Sequence, residues 1–112
     1  MANPTQEELE TKVITDAVQF WMKIFQEKEV VIRFIKKDGS VRIMRCTLDF
    51  TKIPEYDKPK KVDINKILKL IKNNKIMRVF DLDQMGWRSV PFDRVEWMDT
   101  QNQRYVIRKK KF

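Results

Sequence analysis

The stretch Val79-Phe80-Asp81-Leu82-Asp83-Gln84-Met85-Gly86-Trp87-Arg88-Ser89-Val90 constrains this chain most. It reads as strand, tight turn, strand, with Met85-Gly86 in the turn and Pro91 stopping the second strand. A second hairpin precedes it. Val30, Val31, Ile32, Phe34 and Ile35 mark one strand over residues 29–37, and Val41 to Leu48 forms the next. Asp38-Gly39 between them supplies the positive φ angles of a tight turn. Two further short strands are predicted over residues 95–98 and 104–108, after a 3₁₀ turn at Phe92-Asp93-Arg94. Five or six short strands with tight turns predict a small, partly open antiparallel β-barrel.

Two helices join these strands. Leu9, Val13, Ala17, Phe20, Trp21, Ile24 and Phe25 recur at steps of three and four, which predicts an amphipathic helix over residues 5–27. Thr5 and Glu8 have capping-box spacing, and Glu7, Glu8 and Glu10 favour the positive end of its dipole. Asp63 caps a second helix over about 63–73, with Ile64, Ile67, Leu68 and Ile71 inward and Lys66, Lys69 and Lys72 along its outer edge. Pro54 and Pro59 keep the segment before it out of any central strand. The predicted organisation is one α+β domain. Residues 1–28 form a helix packed on a barrel made by residues 29–112, with the second helix as an insertion.

Charge is divided unevenly. Residues 1–28 hold three lysines and five carboxylates, whereas residues 29–112 hold 21 basic and 11 acidic residues. The net charge is +8. Lys58 to Arg78 carries eight basic residues against the single acid Asp63, and Arg108 to Lys111 is a basic run before Phe112. Such fields attract phosphate backbones. No apolar run approaches the length of a bilayer span. The first residues have neither a basic segment nor an apolar core, so a signal peptide is not expected and a cytoplasmic setting is.

The residues available for chemistry are few. With no histidine and one cysteine, His-based catalysis and a zinc site are not expected. Two glycines cannot build a phosphate-binding glycine loop, so no cofactor is expected. Cys46 reads as a small buried hydrophobe. Asp81 and Asp83, two apart on a strand, either share a Mg²⁺ or cap the amides of the turn. The candidate nucleic-acid set is Arg42, Arg45, Lys60, Lys61, Lys69, Lys72, Arg78, Trp87, Arg88, Arg108, Lys109, Lys110 and Lys111. Arginine forks grip phosphate and exposed aromatics stack unpaired bases. Against this, Trp87 also suits a core position sealing its hairpin, and Arg88 suits an ion pair with Asp81 or Asp93. Trp97 alternates with Glu96 and reads as core. The candidate partner-binding set is Phe20, Trp21 and Phe25 on the first helix.

An ordered string of motifs supports a resemblance. Ile32-Arg33-Phe34-x-Lys36-Lys37-Asp38-Gly39, Met44-x-Cys46-Thr47-Leu48-Asp49, Ile53-Pro54, Val79-Phe80-Asp81-Leu82 and Gly86-Trp87-Arg88-Ser89 resemble a family of small proteins of T4-related tailed phages. That family is WYL-like, and the resemblance covers about residues 30–98. It implies an SH3/Sm-like barrel and a phage protein made in the cytoplasm of an infected bacterium. The Trp-Tyr-Leu tripeptide of the wider group is absent, so none of its ligand residues carry over.

Three functional readings remain. The first is a non-catalytic module that binds DNA or RNA through its basic surface. The second is a module that binds and modulates a host or phage protein of transcription or replication, through the first helix or a barrel edge. The third is an enzyme or nucleotide sensor, which the residue inventory supports least. A homo-oligomer is compatible with each, and a membrane partner with none.

Overall fold

The computed structural model describes residues 11–108. In chain order these form β1 (Thr11–Ile14), α1 (Ala17–Gln26), β2 (Val30–Ile35), β3 (Val41–Thr47), α2 (Ile64–Asn74), β4 (Ile76–Asp81), β5 (Gly86–Pro91), β6 (Val95–Asp99) and β7 (Arg104–Ile107). Short 3₁₀ turns occupy Phe50–Lys52, Glu55–Asp57 and Phe92–Arg94. The strands make one sheet in the order β1-β7-β6-β2-β3-β4-β5. The class is the expected α+β one, with two helices and a largely antiparallel sheet.

Alternation explains the central strands. Val30, Ile32 and Phe34 of β2 are buried, as are Met44 and Cys46 of β3. Their intervening neighbours face outward, because successive side chains leave opposite faces of a strand. The turn between them closes with Gly39 N donating to the Lys36 carbonyl at 2.9 Å. Only Gly39 takes a positive φ there, at +88°. Asp38 instead accepts hydrogen bonds from the Ser40 amide and hydroxyl. β3 meets β4 through only two residue pairs, Cys46 with Asp81 and Thr47 with Phe80.

The first helix differs from its sequence expectation. It begins at Asp16, whose carboxylate accepts from the Val18 amide at 2.7 Å, and covers only residues 17–26. Residues 11–14 are instead a strand, running parallel to β7. Thr11, Val13, Ile14 and Thr15 are β-branched, which lowers helix propensity, and β7 offers them an open row of backbone partners. Val13, expected on the buried helix face, is exposed. The proposed capping box at Thr5 and Glu8 lies outside the described residues. The added strand raises the count to seven.

Trp97 is a second difference. It is half-buried, and Met98 takes the core position. A bulge between β2 and β6 pairs Arg33 with Trp97 but Phe34 with Val95. One extra residue reverses the inward–outward parity beyond it. Sequence alternation could not register that shift.

α1 lays Phe20 and Ile24 into the core, where the Phe20 and Phe92 rings meet edge to face at 5.7 Å. α2 starts on the Asp63 cap, 3.1 Å from the Lys66 amide, and inserts Ile71. It ends at Lys75 in the left-handed conformation, and the Lys75 carbonyl accepts from Phe92 N at 2.8 Å. That bond fixes the helix against the chain following β5. α1 and α2 thus pack beside each other on one side of the sheet.

Candidate functional site

Between the two helices, the 48–62 segment and the β4–β5 hairpin lies a groove of about 460 Å³. Its lining is largely apolar. Trp21 and Phe25 stack on each other along α1, with ring centroids 5.4 Å apart. Ile67, Leu70 and Ile71 supply the α2 wall, and Trp87 the β5 wall. Trp87 is held in place from three sides. Its indole N–H donates to the Asp57 carbonyl at 2.7 Å, and Phe80 meets it edge to face at 5.6 Å. The Arg78 guanidinium lies over its ring, 6.0 Å from the centroid. Trp87 is therefore both the hairpin seal and a groove wall.

Cations stand around this lining. Lys61, Lys66 and Arg78 border the groove, and none forms an ion pair among the described residues. The one bordering carboxylate, Asp63, is engaged as the α2 cap. Lys60, Lys69 and Lys72 are exposed nearby, outside the lining, and extend the positive field. A second hollow of about 340 Å³ shares Phe25, Leu48 and Phe50 with the first, and continues to Glu27, Lys28 and Asp49. Hydrogen bonds from Thr51 hold the Asp49 carboxyl below its ordinary pKa. The second hollow is thus the less attractive end for an anion.

Other predicted arginines are committed elsewhere. Arg42 pairs with Asp81, and the Arg88 Nε lies 3.8 Å from the same carboxylate. Asp81 is fully buried, and its other oxygen accepts from the amides of Asp83 at 2.9 Å and Gln84 at 3.1 Å. These contacts are those of a turn cap. Among the described residues no cluster of three His, Cys, Asp or Glu side chains is placed to hold a metal. Arg45 bridges Glu29 and Asp83. Cys46 is buried beside them, and burial pushes its thiol far above the ordinary range, with the Asp81 charge adding to the effect.

The structure thus divides the predicted nucleic-acid set. It gathers Lys61, Arg78 and Trp87 at one groove, and it turns Arg42 and Arg88 toward the single carboxylate of Asp81 and Arg45 toward Glu29 and Asp83. Arg108 is exposed at the end of β7, and its amide donates to the Ile14 carbonyl at 2.9 Å. Lys109, Lys110 and Lys111 lie outside the described residues. The proposed partner-binding set divides as well. Phe20 is core and unavailable to a partner, whereas Trp21 and Phe25 line the same groove. Sequence reasoning missed Phe50, Leu70 and Lys66 as site residues. Leu70 and Lys66 carried a usable signal in the spacing of the second helix, whereas Phe50 sits in an irregular segment with none.

A family model described as WYL_2, Sm-like SH3 beta-barrel fold, matches residues 22–95. The match takes in the second half of α1 and continues to the first residue of β6, and it leaves β1 and β7 outside. No curated protein and no solved structure matches the chain.

Proposed function

The chain belongs to the WYL_2 family, of Sm-like SH3 β-barrel fold, and we propose that it is a non-catalytic nucleic-acid-binding module that takes a single strand, DNA or RNA, in the groove between its helices. The carrying observation is the pairing of an aromatic and aliphatic lining with cations that have no carboxylate partner. In a duplex the base faces are stacked on one another, so only an unpaired base has an apolar face to offer this lining. Phosphates on either side of that base then fall to Lys61, Lys66 and Arg78, while Lys69 and Lys72 steer the strand inward. Arg42, Arg45 and Arg88 add less, because each already faces a carboxylate, Asp81 being shared by Arg42 and Arg88. The likeness to T4-related phage proteins supplies a setting for this reading, an accessory protein in the cytoplasm of an infected bacterium.

Fluorescence anisotropy with labelled single- and double-stranded DNA and RNA tests this. Single strands are expected to bind more tightly than duplex of the same length. Each phosphate contact contributes about 0.7 to the salt slope for a single strand, so three contacts give a slope of roughly −2. Arg78→Ala and Lys66→Ala are each expected to lower that slope by roughly one contact. Arg45→Ala, which removes an already paired cation, is expected to leave it unchanged. Absence of single-strand binding at about 50 mM salt, where such contacts are strongest, would overturn the proposal.

A second reading draws on the half-exposed Phe25 and Leu70 beside the groove. They suit an apolar, acidic segment of a host or phage protein. Competition between such a partner and a single strand for the groove separates the two.

A further inference from the structure

A different surface carries an independent inference. β1, β7, β6, β2 and β3 turn one face of the sheet outward, and their register lines up Val13, Val106, Trp97, Arg33 and Ile43 in a single transverse row. Val13 and Ile43 at its two ends are 45% and 55% exposed. Val106 and Trp97 are half-buried between them. Neighbouring strands are about 4.8 Å apart, so the row runs about 19 Å across the sheet. Val31, Ile35 and Val41 flank it on the same face. β-branched and aromatic side chains at solvent-facing positions in five adjacent strands are more than scattered surface apolar residues.

The charges on this face are balanced. Arg33 pairs with Glu96 at 3.3 Å, Arg45 with Glu29 and Asp83, and Arg104 makes two bonds to Asp99 at 2.6 and 2.7 Å. Arg104 also lies over the Trp97 ring, 4.3 Å from its centroid. Three arginines thus meet four carboxylates. A phosphate strand finds no unpaired cation among these arginines. A chain of net charge +8 repels its own copies over most orientations. Where both signs are matched, that repulsion is least.

We propose that this outer sheet face is the interface of a homodimer, with a second copy of the chain as its occupant. A two-fold axis through Trp97, the middle of the row, sets Ile43 against Val13 of the second copy and Val106 against the aliphatic stem of Arg33. The same axis sets Arg45 against Thr11 and Arg104 against Val31 of the second copy, so each arginine keeps the carboxylate of its own chain. The groove between the helices is lined by none of the residues in the row, so it stays open in the dimer. A micromolar dissociation constant, the weak end of what such interfaces show, sets the concentration range to be covered.

Sedimentation velocity over rising protein concentration, to about 100 μM, tests this against that micromolar expectation. The wild-type chain is expected to move from 13.6 kDa to twice that mass. Ile43→Asp places an unpaired charge in the row at an exposed position. It is expected to hold the protein at the monomer mass with its circular dichroism spectrum and single-strand binding unchanged. A wild-type chain that remains monomeric throughout the series overturns the proposal. So does a dimer that survives both Ile43→Asp and Val13→Asp in folded protein, because the contact then lies elsewhere.

Discussion

At the scale of single residues, Asp81 decides the most. It is fully buried, faces Arg42 and Arg88, and caps the turn that carries Gln84 and Met85. Its two arginines are partly exposed, at 29% and 42%, so water takes over their charge when the carboxylate is lost. Removing the carboxylate also orphans two turn amides. Asp81→Ala is therefore expected to cost about 3 kcal/mol, the low end for breaking a buried pair. That corresponds to roughly a 10 °C fall in melting temperature for a chain of this size. Asp81→Asn keeps an oxygen for the amides and loses only the charge, so about half that loss is expected. Equal losses in a thermal denaturation series would show that the ion pairs, not the cap, carry the stability. Gly86 belongs to the same cluster. A Cβ there would stand 2.9 Å from the Arg88 guanidinium, so the turn's glycine leaves room for the arginine that reaches Asp81.

At the scale of elements, the first helix and β1 show how local and tertiary signals compete. A three-four periodicity starting at Leu9 argues for one long helix. Four β-branched residues at 11–15 and the open edge of β7 argue for a strand, and pairing with β7 prevails. The boundary has a measurable consequence of definite sign. At the start of a helix, Asp16 satisfies an otherwise orphaned amide, and Asp16→Ala is expected to destabilise by about 1 kcal/mol. In the middle of a helix the same change would stabilise, since alanine is the better helix former. Urea denaturation of the variant distinguishes the two directions. α2, by contrast, matches its expected bounds to within a residue, because its cap and the Asn73-Asn74 end agree locally, although Ile64, expected inward, is exposed in its first turn. Its Ile71 is both core and groove wall, which makes the helix part of the site and not merely an insertion.

At the scale of the molecule, the fold segregates two kinds of positive charge. The lysines and Arg78 around the groove have no ion-pair partner among the described residues, whereas the arginines of the outer sheet face are paired. The two surfaces should respond differently to salt. Raising salt from about 50 to about 300 mM releases a strand held by counterion exchange, with the roughly 36-fold loss that a slope near −2 implies. The same change leaves the dimer intact, because an apolar row carries it and screening weakens the repulsion between like-charged copies. Strand binding and mass measured in one salt series check both expectations. Among the described residues no helix is long and apolar enough to cross a membrane.

Local patterns in the sequence specify the class, the two central hairpins, the position of the second helix and the burial of Cys46. These depend on period-two alternation, turn residues and a cap, all of which act over a few residues. The sequence also put Trp87, Arg78 and Lys61 among the candidate site residues, through type and neighbourhood. Which cations are free to act depends on long-range packing. An ion pair such as Arg42 with Asp81 joins residues far apart in sequence, and no local pattern reports it. Tertiary structure also decided where the helix yields to a strand, where a bulge turns Trp97 outward, and that Trp21, Phe25 and Trp87 line one groove. Each of these depends on which strand lies beside which, a long-range relation that no local pattern in this chain specifies.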